Sequence, residues 1–157
     1  MKKLAVVLTL AILSVPAIAA PKQKPAAQAS KQLCADDVCL KFSQRASIAL
    51  VQAKTDVVLL REEEYQNRIP SAVEAVMAKT KSYREEVQPL YKAALASVAG
   101  NAEATAAVKE YMKVWTAAIN TFPMSTVKSM GQREAEYQSY AAKLNDAWAQ
   151  IQIEAGI

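Results

Sequence analysis

The chain has 157 residues, two cysteines and no histidine, with 19 basic residues against 15 acidic ones. The missing histidine removes the usual general base at neutral pH and the commonest nitrogen ligand for a metal. Haem attachment through C-x-x-C-H, His-bearing zinc sites and Ser-His or Cys-His nucleophile pairs are excluded with it.

Residues 1–19 read as a cleavable export signal. Lys2 and Lys3 supply the positive start, Leu4 to Val15 an apolar run, and Ala17-Ile18-Ala19 a small-x-small site with the cut before Ala20. The run is shorter than the ~20 apolar residues that span a bilayer, so an anchor is the weaker reading and no membrane span is expected after cleavage. Cys34 lies too far downstream to be a lipidated residue. Cleavage leaves about 138 of the 157 residues, enough for one domain with its own core.

Residues 20–33 lack apolar periodicity and read as a flexible Pro/Ala/Lys spacer. Lys22, Lys24 and Lys31 lie there, so from Leu33 onward 14 basic residues face 15 acidic ones. The domain, residues 34–157, therefore offers no basic field for nucleic acid. High alanine, three glycines and few alternating β-branched runs point to helices.

Cys34 and Cys39 are five residues apart, too far for a disulfide on a regular helix. An intramolecular bridge needs a non-helical loop over residues 35–38 closing onto the first turn, and it would act as a structural staple. A redox pair or thiolate metal site lacks supporting residues. The first helix is expected to begin near Asp36 or Asp37 and run to about Asn67. Its stripe is Cys39, Phe42, Ala46, Ala49, Ala53, Val57 and Leu60, ended by Ile69-Pro70.

Ser71-Ala-Val-Glu74 spells a capping box for the second helix. Its stripe is Val73, Val76, Thr80, Tyr83, Val87, Leu90 and Ala94, with a bend expected between Glu85 and Pro89. Gly100 ends it and Asn101 caps the third helix, which carries Ala104, Val108, Tyr111, Trp115, Ala118 and Phe122 up to Pro123. The fourth carries Val127, Met130, Glu134, Tyr137, Ala141, Leu144, Trp148, Ile151 and Ala155, and Gly156 closes it. Glu134 is the one acid on a seam, where it could meet a cation across the bundle.

Four stripes with short connections predict an all-α antiparallel bundle, most simply four helices with coiled-coil-like packing; three helices are the alternative. At ~1.5 Å per residue the third helix is about 30 Å long, whereas the others exceed 40 Å. The tip of the first hairpin, with Val57, Leu60, Val73, Val76 and Met77, then lacks a cover. Either a bend in the second helix closes it, or it is a partner surface.

The acid runs at Glu62-Glu63-Glu64 and Glu85-Glu86 lack the Glu-x-x-His pattern of bundle metal sites, and no metal or cofactor is expected. The leading expectation is an exported, periplasmic or secreted, non-enzymatic bundle that binds another envelope protein in an adaptor, accessory or chaperone-like role. A homo-oligomer is compatible with the sequence as well. A periplasmic protein binding a small ligand or metal on its acidic faces comes second. An enzyme comes third, because no nucleophile motif is present.

Overall fold

The computed structural model describes residues 37–157. Within them stand four helices: α1 (Val38–Tyr65), α2 (Ala72–Ser97), α3 (Ala102–Thr121) and α4 (Met130–Ala155). A 3-10 segment, Phe122–Val127, joins α3 to α4. The architecture is an all-α bundle, and no helix of the described residues is long and apolar enough to cross a membrane.

Cross-helix contacts fix the directions. Phe42 meets Tyr91 and Arg45 meets Glu86, so α1 and α2 are antiparallel. Asn101 meets the Glu154 carbonyl and Thr121 meets Tyr140, so α3 and α4 are antiparallel as well. Buried Tyr111 and Trp115 lay α3 directly along α1. Tyr111 Oη donates to Ser43 O at 3.1 Å and Trp115 Nε1 to Ala46 O at 2.8 Å. A buried aromatic with a polar tip needs such a partner, because an unpaired donor in the core costs about 1–3 kcal/mol.

The helix ends follow side-chain chemistry. Asp37 stands at the start of α1 with φ 57°, yet its carboxylate caps nothing. The helix therefore starts next to Asp37, as expected, without a side-chain cap. At the other end Asn67 adopts φ 59°, and the N–H groups of Asn67 and Arg68 return to the carbonyls of Glu64 and Glu63. This is a Schellman ending with asparagine in the glycine-favoured position.

Ser71 accepts the Glu74 N–H as its spacing predicts, at 3.2 Å. The reciprocal bond from Glu74 does not form, so the expected capping box is present only in its serine half. Helix α2 runs on through Pro89. Pro89 and Glu85 are both exposed, so water reaches the carbonyl that proline leaves unpaired. Asn101 caps α3 and Gly156, at φ 69°, closes α4, both as expected.

The 3-10 segment corrects the reading of the hairpin tip. Pro123 does stop α3, but the chain then tightens inward, burying Phe122, Pro123, Ser125 and Thr126 against α1 and α2. Val57 and Val76 are consequently core, 1% and 0% exposed. Leu60 and Val73 are half-buried, and Met77 alone of the five stays open at 58%. These five residues do not form a shared exposed surface.

The same filling displaces the start of α4. Val127, Met130 and Glu134 are exposed instead of lying in the core, and only Leu144, Ile151 and Ala155 of α4 are buried. Ser129 and Gln132 make a complete capping box there. Cys39 is fully buried with its Sγ 3.8 Å from Ser97 Oγ. The expected Cys34–Cys39 bridge, the signal and the spacer fall outside the described residues in whole or in part.

Candidate functional site

Three charged residues occupy the middle of α1, and each turns sideways to a neighbouring helix. Arg45 grips Glu86 of α2 with its Nε at 2.9 Å and with Nη2. Asp56 accepts from the Tyr83 hydroxyl of α2. Lys54 crosses to Glu134 of α4 at 2.6 Å, with its ammonium 4.2 Å from the Tyr137 ring centroid. The seam acid thus finds a cation, as its position suggested.

These partners shift the titrations in consistent directions. The bond from Arg45 holds the Glu86 carboxyl below its ordinary range, and the bond from Lys54 does the same for Glu134. Burial and then the bond to Asp56 push the Tyr83 hydroxyl well above its ordinary range. Further carboxylates are paired as well: Glu64 with Arg61, Glu85 with Lys81 and Glu136 with Lys128. Among the described residues no group of three His, Cys, Asp or Glu side chains is placed to hold a metal ion.

With its charges drawn aside, α1 presents an uncharged outer face. Between Lys41 and Arg61 every exposed residue of the helix is neutral. Leu40, Ile48, Val51, Val58 and Leu59 are the large apolar members, with Ile48 52% and Val51 48% exposed. In this bundle α2, α3, α4 and the 3-10 segment all contact α1 and leave these residues exposed.

A groove of about 500 Å³ borders this face where α1 and α4 diverge. Leu40 and Ile48 form one wall and Leu144 and Trp148 the other, with Tyr111 among the lining residues. No charged side chain lines it. Beyond Val58 the face continues to Met130, which lines a small cavity with it. Met77 and Met124 flank a second groove beside Pro123, so three exposed methionines sit at this end of the bundle.

The sequence reading placed its candidate surface one strip too far inward. Val57 to Leu60 is indeed wider than a single seam, but the exposed half is Val58 and Leu59. Leu40, Ile48, Val51 and Val58 recur at steps of eight, three and seven, a second stripe beside the buried one. Comparison with protein-family models, curated proteins and solved structures returns no match to this chain.

Proposed function

We propose that this chain is an exported, non-enzymatic helical bundle that binds another protein of the cell envelope, in an adaptor, accessory or chaperone-like role. Export rests on the signal-like segment, residues 1–19. Binding rests on one observation: the outer face of α1 carries no exposed charge between Lys41 and Arg61 and sets Ile48, Val51, Val58 and Leu59 among neutral polar residues. Exposed apolar surface on this scale marks an interaction site. Exposed Met130, which lines a small cavity with Val58, suits an adaptable contact, because the thioether side chain is flexible and polarizable.

A second reading is favoured by the groove beside Trp148, whose size suits a small neutral ligand. The acidic faces that first suggested a metal are less suited to it, since most of their carboxylates hold lysine, arginine or backbone partners.

The test is affinity capture of the tagged mature protein from an envelope fraction, beside the Ile48→Asp variant. A partner lost from the variant, with its melting temperature unchanged, supports the reading. Equal capture by both proteins rejects α1 as the site. Calorimetric titration with divalent metals separates the metal-binding alternative, and intact mass of the exported protein reports the cut before Ala20.

A further inference from the structure

The groove where α1 and α4 diverge has its hydroxyl protons turned inward. Tyr111 Oη carries one proton and gives it to the Ser43 carbonyl at 3.1 Å. The Ser47 hydroxyl, 3.2 Å from the same Tyr111 oxygen, is then the donor of that contact. Ser43 gives its own hydroxyl proton to the Leu40 carbonyl at 3.0 Å. Ser43, Ser47 and Tyr111 all line the groove. The two serine oxygens keep lone pairs but no free proton, so this stretch accepts hydrogen bonds and donates none. An occupant held here has to bring O–H or N–H donors.

The rim is different. Gln44 of α1 and Asn145 of α4 are exposed, and neither amide is hydrogen-bonded among the described residues. Each offers both a carbonyl oxygen and an NH2 group. No charged side chain lines the groove, so an ion entering it would shed water without gaining a counter-charge. Leu40, Ile48, Leu144 and Trp148 supply apolar walls, and the volume of about 500 Å³ lies within the range of small-molecule sites.

We propose that this groove binds a neutral saccharide, with hydroxyls donating to Ser43 and Ser47 and a C–H face against Leu144 and Trp148. The inference rests on the reading of this groove as a small-ligand site, not on the protein-partner reading, and adds the ligand's chemistry. A saccharide meets each condition. It is uncharged, every hydroxyl both donates and accepts, and its ring C–H groups present an apolar surface to the walls. A hydrocarbon would cover the serine oxygens and amides without pairing them. A carboxylate or phosphate would set its lone pairs against those of the serines.

The chain's two tryptophans give the readout, because Trp115 is wholly buried while Trp148 stands half-buried in the groove. Tryptophan emission of the mature protein is followed during titration with four probes. Glucose and maltose stand for free sugars, N-acetylglucosamine and chitobiose for units of a glycan strand. A saturable change is expected, and the pair that binds more tightly identifies the source. Asn145→Ala and Ser47→Ala should each weaken binding about fivefold, the worth of one net hydrogen bond, with unchanged circular dichroism. Asn120→Ala, in the separate groove beside Pro123, should bind like the wild type.

No saturable change with any of the four sugars overturns the proposal. Binding that Asn145→Ala and Ser47→Ala leave intact, or that Asn120→Ala weakens equally, overturns it as well. Should N-acetyl-trialanine amide saturate the emission change while the sugars do not, the saccharide fails and the small-ligand groove stands. Silence to this peptide and to the sugars ends both.

Discussion

The indole N–H of Trp115 donates to the main-chain oxygen of Ala46 at 2.8 Å, joining α3 to α1 where both residues are wholly buried. Together with the Tyr111 bond to Ser43 one turn away, it fixes how α3 lies on α1. It therefore fixes which side of α1 is left outside.

Trp115→Phe removes that bond and part of the core volume. A net hydrogen bond is about 1 kcal/mol, and the cavity adds to it, so a loss of about 2–4 kcal/mol is expected in urea unfolding. Trp148→Phe, at a half-buried edge position, should cost less than about 1 kcal/mol. Equal losses at the two sites would contradict the packing of α3 on α1.

Asn101 serves two helices. Its Oδ1 accepts the Ala104 N–H at 3.0 Å while its Nδ2 donates to the Glu154 carbonyl at 2.8 Å. Asn101→Ala should lose about 1–2 kcal/mol, in the range of a lost cap. Asn101→Asp keeps the acceptor and loses only the donor, so its cost should be smaller and its faster amide exchange confined to the end of α4. Equal losses in the two variants would mean that the cap contributes nothing, and an Asn101→Asp variant as stable as the wild type would mean the same of the Glu154 contact.

Stability should fall on both sides of neutrality. Burial pushes the Glu136 carboxyl up, but the bonds from Lys128 and Ser125 outweigh it and hold it below its ordinary range. Such a group contributes stability that is present above the unfolded value of about 4.3 and is lost as pH falls through the folded one. Burial raises the Tyr83 and Tyr111 hydroxyls, so their contribution is complete below an unfolded value of about 10 and is lost as pH rises beyond it. Unfolding free energy against pH should show a shallower acid limb in Glu136→Gln and a shallower alkaline limb in Tyr83→Phe. Unchanged limbs would refute these assignments.

Cys39 begins α1 at a fully buried position. The proposed bridge to Cys34 closes a short loop, so its reduction should cost about 2–3 kcal/mol at most. Non-reducing mass spectrometry should find the intramolecular bridge. A Cys34-linked dimer or two free thiols would exclude it.

Much of this fold is open to reading because local rules and packing agree. The stripe from Cys39 to Val57 is buried throughout, and Ser71, Asn101 and Gly156 end their helices as their chemistry dictates. The failures share a cause. Pro123 marks a helix stop, but nothing local says that Phe122 and Pro123 then fold inward, which buries Val57 and Val76 and pushes Met130 out. The candidate face was hidden for a different reason. Arg45, Lys54 and Asp56 look like ordinary solvated charges in a linear chain, and only their partners on α2 and α4 reveal that they leave the outer surface bare. The Ser129–Gln132 capping box is legible in its S-x-x-Q spacing.

The most direct test of the central claim is labelling of a cysteine on the outer face of α1 in living cells. Val51→Cys and a distant exposed control, Lys109→Cys, are treated with a small maleimide that crosses only the outer membrane, then compared with the same proteins purified and dilute. An exported protein whose face is covered should show residue 51 labelled several-fold more slowly in cells than in dilute solution, with residue 109 labelled alike in both. Equal labelling of both positions in cells would show the face bare and contradict the account. No labelling of either in cells would show that the protein is not exported.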